Sequence, residues 1–179
     1  MQPSSAPAAR SVLPAHRNAD LFPPLIAATL VTAVLAGAAA DLAWEFWARF
    51  VTPLLPGVGG PLEPAALVQS VFGLGSRWLA ELIHLVVGVV FYPLGYLFVA
   101  RPLQRAILPG LPWWLTAAGF GVGLFVFALY VMAHLIAGLP AFLGWIPLAW
   151  ASLAGHVLFG LVTGAVVKLR EVRTGHRSA

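Results

Sequence analysis

Four long apolar stretches constrain the fold of this chain more than any other feature of its sequence. They cover residues 21–47, 78–100, 113–138 and 144–167. A helix needs about 20 residues to cross the hydrocarbon core of a bilayer, and each stretch is long enough. Only 9% of the residues are charged, whereas soluble domains carry about 25%. The sequence therefore predicts an all-α integral membrane protein, with one four-helix transmembrane bundle over residues 21–168.

Prolines and tryptophans agree with these four spans. Pro23 and Pro24 fall in the predicted opening turn of the first helix, where proline is tolerated, and Pro93 predicts a kink in the second helix. Six tryptophans lie near predicted span ends, as in an aromatic belt at the membrane interface: Trp44, Trp47, Trp78, Trp113, Trp114 and Trp145.

The basic residues predict the orientation of the chain. They cluster before the first span, between the second and third, and after the fourth, whereas the loop between the third and fourth spans is uncharged. Because cytoplasmic segments are rich in Lys and Arg, both termini are predicted to be cytoplasmic. Residues 1–20 would then form a flexible cytoplasmic tail, and residues 169–179 a basic cytoplasmic tail.

The loop after the first span lies on the outer, periplasmic side in this topology. It contains the segment EPAALVQSVFG, in which Pro64 stands at a favourable first helical position. Amphipathic helices can lie in the plane of a membrane interface. The segment therefore predicts a short surface helix in the first outer loop.

Titratable residues are concentrated in the outer half of the predicted bundle. Such residues are costly inside a bilayer and usually serve a purpose. At 1.5 Å per residue, His156 lies near mid-membrane and the others lie nearer the outer ends of their spans: Asp41, Glu45, Glu81, His84 and His134. This convergence on one layer of four helices predicts a functional site there.

A metal ion is the first option for this site. The chain has no cysteine, so histidine and carboxylate ligands remain. One set suits Zn²⁺ or Fe²⁺ bound as a single ion: His84, His134, His156 and Glu45. Glu81 and His84 also form an E-x-x-H pair on one helix face, but a di-iron site needs two such motifs.

Two further residues are candidate members of the metal site. Asp41 lies four residues before Glu45, so the two share a helix face. Tyr130 lies four residues before His134 and could orient it as a ligand.

Haem b is the second option. Two histidines on different helices can serve as axial ligands, and a nearby glycine leaves room for the ring. His156 follows Gly155 and precedes Gly160 by about one turn, and His84 has Gly88 four residues later. The glycines are better explained as contacts between helices, because small residues at helix interfaces are the usual case in membranes.

Two other interpretations need no cofactor. The polar residues could form an interhelical hydrogen-bond network in a structural or accessory membrane protein. They could also relay protons in an acid-stress protein. The inner half offers only Tyr92, Tyr96 and Thr163 to continue such a relay.

Four short motifs follow one another along the spans. WEFWARFVTPLLPG ends the first span, a histidine opens HLVVGVVFYPLGYLFVARP in the second, AHLIAGLP closes the third and AGHVLFGLV lies in the fourth. Over about residues 30–172 this order resembles the YagU-type family of bacterial inner-membrane proteins, although the outer loop is shorter here. The resemblance implies an association with acid tolerance. It also implies a site formed by Glu45, His84, His134 and His156, and it gives Glu81 no counterpart.

These observations predict a protein of the bacterial inner membrane that binds a metal ion or haem in the periplasmic half of its bundle. It would act in redox chemistry or as an accessory subunit. Its expected partners are the lipid bilayer and either other subunits of a membrane complex or further copies of itself. Nucleic acid is not an expected partner, because the basic residues flank the spans.

The predicted topology can be tested with reporter fusions. A reporter at the C-terminus should report a cytoplasmic location, and one inserted near Leu139 should report a periplasmic location, because Lys and Arg cluster on the other side. A periplasmic C-terminus would reverse the predicted depths of the polar residues.

Overall fold

The computed structural model describes residues 21–175, with side chains described to residue 173. Residues 1–20 and 176–179, parts of the two predicted tails, lie outside the described residues. The described chain has no strand and contains four helices long and apolar enough to cross a membrane. These are α1 (Ala27–Leu54), α3 (Arg77–Ile107), α4 (Trp113–Ile136) and α5 (Pro147–Gly175), with the shorter α2 (Pro64–Phe72) between α1 and α3. The prediction of an all-helical chain with four candidate spans is confirmed.

Helix α1 differs from its predicted bounds at both ends. It begins at Ala27 rather than 21, and Pro23 and Pro24 lie in non-helical backbone before it instead of in its opening turn. It continues past 47 to Leu54 through a π-helical turn (Trp47–Val51) and a final 3₁₀ turn. As a result Glu45 lies deeper from the helix end than the sequence predicts.

Helix α5 begins at Pro147 rather than at 144, because the residues before it turn the chain in the left-handed sense. Phe142, Leu143 and Trp145 have φ angles of 48°, 53° and 56°, a region that costs about 1–2 kcal/mol per non-glycine residue. Ring stacking offsets part of this cost. The ring of Phe142 lies 4.9 Å from that of Trp145 and 5.6 Å from that of Phe125.

Helices α3 and α4 contain π-helical turns. In α3 these are Val87–Phe91 and Tyr96–Ala100, on either side of Pro93, where the sequence predicts a kink. The second half of α4 (Phe127–Ile136) is also π-helical. A π turn closes with an i→i+5 hydrogen bond, so it rotates every later side chain relative to α-helical spacing. Helix faces deduced from a period of 3.6 are therefore shifted beyond these turns.

Glycines mark the closest approaches between the spans. A Cβ at Gly121 of α4 would collide with the carbonyl oxygen of His156 and lie 2.7 Å from Cα of Val157, both in α5. A Cβ at Gly37 of α1 would collide with the carbonyl oxygen of Val89 in α3. Small residues allow such backbone contact between membrane helices. Helix α5 packs against both α4 and α1 and forms the centre of the bundle.

The two ends of the bundle are packed differently. At one end, here called the basic end, α3 contacts α4 through Tyr96–Ala100, and Arg101 forms an ion pair of 2.5 Å with Glu171 of α5. At the opposite end, here called the α2 end, α2 packs against α3 and the second half of α4. The N–H of Leu62 donates to the carbonyl oxygen of Ala48 at 3.1 Å and ties the preceding loop to α1.

A glycine-to-alanine pair tests the contact between α4 and α5. Gly121→Ala should lower the free energy of unfolding by about 1–3 kcal/mol, because the new methyl group overpacks the backbone of α5. Gly119→Ala is the matched control, because no atom lies within 4 Å of its Cβ position. It should raise stability by up to about 1 kcal/mol through helix propensity. Denaturation in detergent micelles measures both values, and equal effects would contradict the contact.

Candidate functional site

A cavity of about 450 Å³ lies at the α2 end of the bundle. This volume falls within the range of roughly 300–1,000 Å³ that is typical of small-molecule sites. All five helices contribute to its lining, and most of the side chains are apolar. Its walls include Leu67, Val68, Phe72, Phe91, Phe127, Leu129, Met132 and Phe159.

Three titratable side chains from three different spans also line the cavity. They are Asp41 of α1, His84 of α3 and His156 of α5. Ser152 and Tyr92 add hydroxyl groups to the same lining. Among the described residues no Lys or Arg lines it. The cavity therefore combines apolar walls with groups that can accept or donate a proton.

His156 is held in a defined orientation. Its Nδ1 lies 2.7 Å from the carbonyl oxygen of Ser152, one turn earlier in α5. A carbonyl oxygen can only accept, so Nδ1 carries the proton and donates it, and a neutral ring then has a free acceptor at Nε2. The ring of Trp44 packs edge-on against the imidazole, with centroids 4.6 Å apart. His156 is therefore a buried, oriented hydrogen-bond acceptor.

Asp41 is buried without a partner. Its relative exposure is 7%, yet within residues 21–173 its carboxyl group makes no hydrogen bond and no ion pair. It packs tightly against α3, because a Cβ at Gly88 would lie only 2.7 Å from its Oδ1. A buried unpaired carboxyl group is expensive, so Asp41 is the most unusual residue of the cavity.

His84 connects the cavity to the acidic residues around it. It lies within electrostatic range of His156, Glu45 and Glu81. No described residue forms a hydrogen bond with its imidazole. His84 is thus a second cavity-lining imidazole with free hydrogen-bonding capacity.

The predicted carboxylate ligands Glu45 and Glu81 lie outside the cavity lining. Glu45 accepts a hydrogen bond from Nε of Arg49, one turn later in α1. Glu81 lies 3.6 Å from Nε of Arg77, which also contacts Glu63 at 3.4 Å. Both side chains are partly exposed, and each carboxylate is paired with an arginine.

His134 and Tyr130 also lie outside the cavity lining. Nδ1 of His134 donates to the carbonyl oxygen of Leu139 at 2.7 Å and closes the end of α4. The ring of Tyr130 lies 5.4 Å from that of His134 and 5.4 Å from that of Phe142. Both residues fall in the π-helical part of α4. The α-helical spacing used in the prediction therefore does not show which way these two side chains point.

The structure gives no support to a metal centre. Within residues 21–175 no three His, Asp or Glu side chains are grouped so that they could hold an ion. The metal site therefore stays a prediction from the sequence.

The glycines that suggested room for a haem ring are occupied by protein atoms. A Cβ at Gly155 would lie 2.5 Å from Cζ3 of Trp44, and a Cβ at Gly160 would lie 2.8 Å from the backbone nitrogen of Gly121. The space beside Gly88 is taken by Asp41. These glycines act as contacts between helices, the other interpretation that the sequence allowed. The glycines therefore no longer favour haem, and the haem prediction rests on the two histidines alone.

Two cavity residues were not predicted as part of the site. Trp44, expected in an aromatic belt, is 6% exposed, and its indole N–H is buried without a partner in the described part of the chain. Ser152 is buried beside His156. The spacing of each gave a usable signal, since Trp44 lies three residues after Asp41 and Ser152 lies four residues before His156.

The fold alone defines the class of this protein: an α-helical chain with four helices that are long and apolar enough to span a membrane. No protein-family model, no curated protein and no solved structure matches the chain. The resemblance to the YagU-type family stays a prediction.

Removal of each histidine should have graded effects on stability. His156→Ala should lower the free energy of unfolding by about 1–3 kcal/mol, since a buried ring and its packing on Trp44 are lost. His134→Ala should cost about 0.5–1.5 kcal/mol, the value of one partly exposed hydrogen bond. His16→Ala and His176→Ala, in the predicted tails, serve as controls. A larger loss for His134 than for His156 would contradict the assignment of His156 to the interior.

Proposed function

We propose that this protein is an integral membrane protein that binds a largely apolar small molecule in the cavity at the α2 end. The ligand's polar end would contact Asp41, His84 and His156. The observation that carries the proposal is the meeting of these three titratable side chains from three spans in one apolar cavity of about 450 Å³. Clefts with apolar walls and a few convergent polar groups are typical of ligand sites.

The apolar mouth of the cavity supports entry from the membrane. Phe72, Phe91 and Phe127 line the cavity and are 56%, 60% and 43% exposed. They belong to α2, α3 and α4, the three helices that meet at this side of the bundle. In a protein that spans a bilayer, exposed apolar rings face lipid more favourably than water. A lipid-soluble ligand would enter the cavity past these rings.

A structural hydrogen-bond network is supported less well than a ligand site. Such a network would join polar side chains of different helices. Within residues 21–173, however, Asp41 and His84 make no hydrogen bond, and His156 bonds only to Ser152 of its own helix. Asp41 and His156 are buried and His84 is half-buried, and cavity-lining polar groups that are not bonded to one another are better explained by a partner that enters the cavity.

Haem b is the second candidate ligand. His84 and His156 line the same cavity, and the hydrogen bond at Nδ1 of His156 leaves Nε2 free to bind iron. These two residues would be the axial ligands. The proposal of a single metal ion held by His84, His134, His156 and Glu45 rests on the sequence alone.

The cellular setting follows from the sequence. We place the protein in a bacterial inner membrane with both termini in the cytoplasm, so that the α2 end faces the periplasm. The resemblance to the YagU-type family supports this setting and a role in acid tolerance. Further subunits, or additional copies of the chain, are proposed partners within the membrane.

The test is to identify what occupies the cavity. The protein would be extracted in polymer nanodiscs, and its small molecules identified by mass spectrometry, visible absorbance and elemental analysis. Ala128→Phe should fill the cavity and remove a bound compound, because Ala128 lines it. Val122→Phe is the matched control, since Val122 of the same helix is 43% exposed and does not line the cavity.

The outcomes separate the candidates. An apolar compound that is enriched with the wild-type protein and lost only in Ala128→Phe would support the proposal. A Soret band that disappears in His156→Leu would favour haem, and stoichiometric metal without a Soret band would favour the metal site. Identical small-molecule contents in the wild type and Ala128→Phe would contradict a ligand in this cavity.

A further inference from the structure

We infer that the ligand of the cavity is an uncharged ring compound that carries hydroxyl groups, of the quinol class. The inference rests on the proposed function and specifies the chemistry of its ligand. It follows from the charges, the hydrogen-bonding groups and the shape of the cavity lining.

The charges of the lining exclude an anionic ligand. Asp41 and Glu63 are the acidic residues of the lining; Arg77 pairs with Glu63 from outside it, and no described Lys or Arg lines the cavity itself. A phosphate or carboxylate head group would enter an apolar cavity beside a carboxyl group without a cation to pair it. The desolvation of such an ion is too costly without a partner. Phospholipids and fatty acids are therefore poor ligands for this site.

The hydrogen-bonding groups of the lining require a donor from the ligand. Nδ1 of His156 gives its proton to Ser152, which leaves only the acceptor Nε2 for the cavity. The carboxyl group of Asp41 has acceptor oxygens that no described residue satisfies. Ligand hydroxyl groups would satisfy both residues, and the imidazole of His84 offers a third hydrogen-bonding partner in the same lining. Ketones, ethers and hydrocarbons, which lack a donor, would leave Asp41 and His156 unpaired.

The shape and polarity of the walls favour a neutral ring over a cation. Trp44, Phe91, Tyr92, Phe127 and Phe159 line the cavity and give a flat ring several stacking partners. A cation could also use aromatic faces and Asp41, but it would have to shed its water on the way through the apolar mouth. A neutral hydroxylated ring avoids this cost. Its apolar tail could extend past Phe72 into the bilayer.

The test compares four lipid-soluble probes that differ in hydrogen-bonding groups or in charge. Wild-type protein in nanodiscs would be equilibrated anaerobically with decylubiquinol, with its dimethyl ether, with decylubiquinone and with tetraphenylphosphonium. Bound probe would be measured against empty nanodiscs, which correct for partition into lipid. The ether keeps the shape of the quinol but has no donors, the quinone has acceptors only, and the phosphonium is a lipophilic cation.

Decylubiquinol should bind at least about tenfold more tightly than its dimethyl ether, because two hydrogen bonds to buried acceptors are lost in the ether. Asp41→Leu and His156→Leu should each reduce this preference to about threefold or less, because leucine has no acceptor for the quinol hydroxyl. His134→Leu, the same change at a histidine outside the cavity lining, should keep it. Circular dichroism would confirm that each variant is folded, so that a lost preference reports on the site.

Each alternative result overturns a different statement. Equal binding of quinol and ether would overturn the need for donors, and tighter binding of the phosphonium, lost in Asp41→Asn, would replace the quinol with a cation. In both cases the proposed cavity function stands if Ala128→Phe abolishes binding. If no probe binds above empty nanodiscs, the quinol inference fails. If, in addition, the wild type and Ala128→Phe retain the same native compounds, the proposed function fails as well.

Discussion

Backbone contact between helices at small residues is the interaction on which the rest of the bundle depends. Lipid provides no hydrophobic drive to bring apolar helices together, so close packing must supply the attraction. Gly121 and Gly160 bring α4 and α5 together, and Gly37 does the same for α1 and α3. At the α2 end, α2 packs against both α3 and α4 instead. The cavity lies at this end, between α2 and the spans.

Two polar side chains of the cavity lower the stability of the fold, because no described residue forms a hydrogen bond with them. The carboxyl group of Asp41 and the imidazole of His84 have no hydrogen-bond partner within residues 21–173. Asp41 is buried and His84 is half-buried, and a polar group that is fully buried without a partner costs roughly 1–3 kcal/mol by the measure of mutational data. Other titratable residues of the spans do have partners, as Glu45 with Arg49 and His134 with the carbonyl oxygen of Leu139 illustrate. Titratable residues with partners therefore stabilise the fold, whereas Asp41 and His84, which have none in the described chain, are available to a ligand in the cavity.

The sequence predicted the spans well because their signal is long and cumulative. Because about twenty apolar residues contribute to each predicted span, one atypical residue does not change the prediction. The structure accordingly has four long apolar helices. Their ends were harder to predict. The left-handed turn at Phe142 and the extension of α1 to Leu54 depend on ring stacking and on π-helical hydrogen bonds, which leave no clear local pattern.

The site was only partly predictable, for a related reason. Depth follows from the rise per residue, so His84 and His156 could be placed in one layer. Facing follows from the number of residues per turn, and this number changes inside α4. His134 lies in the π-helical stretch Phe127–Ile136 and turns to the loop instead of the cavity. Asp41 was only a secondary candidate, because the gap at Gly88 that accepts its carboxyl group arises between two helices.

The π-helical turns that make the site hard to predict from the sequence also help to form it. Val87–Phe91 of α3 and Phe127–Ile136 of α4 both contribute residues to the cavity lining. A π turn is rare and is frequently found at functional sites. In α3 this turn includes Gly88, which has no side chain to exclude Asp41. An unusual backbone and an unpaired carboxyl group thus occur at the same point, and a ligand that satisfies the carboxyl group would account for both.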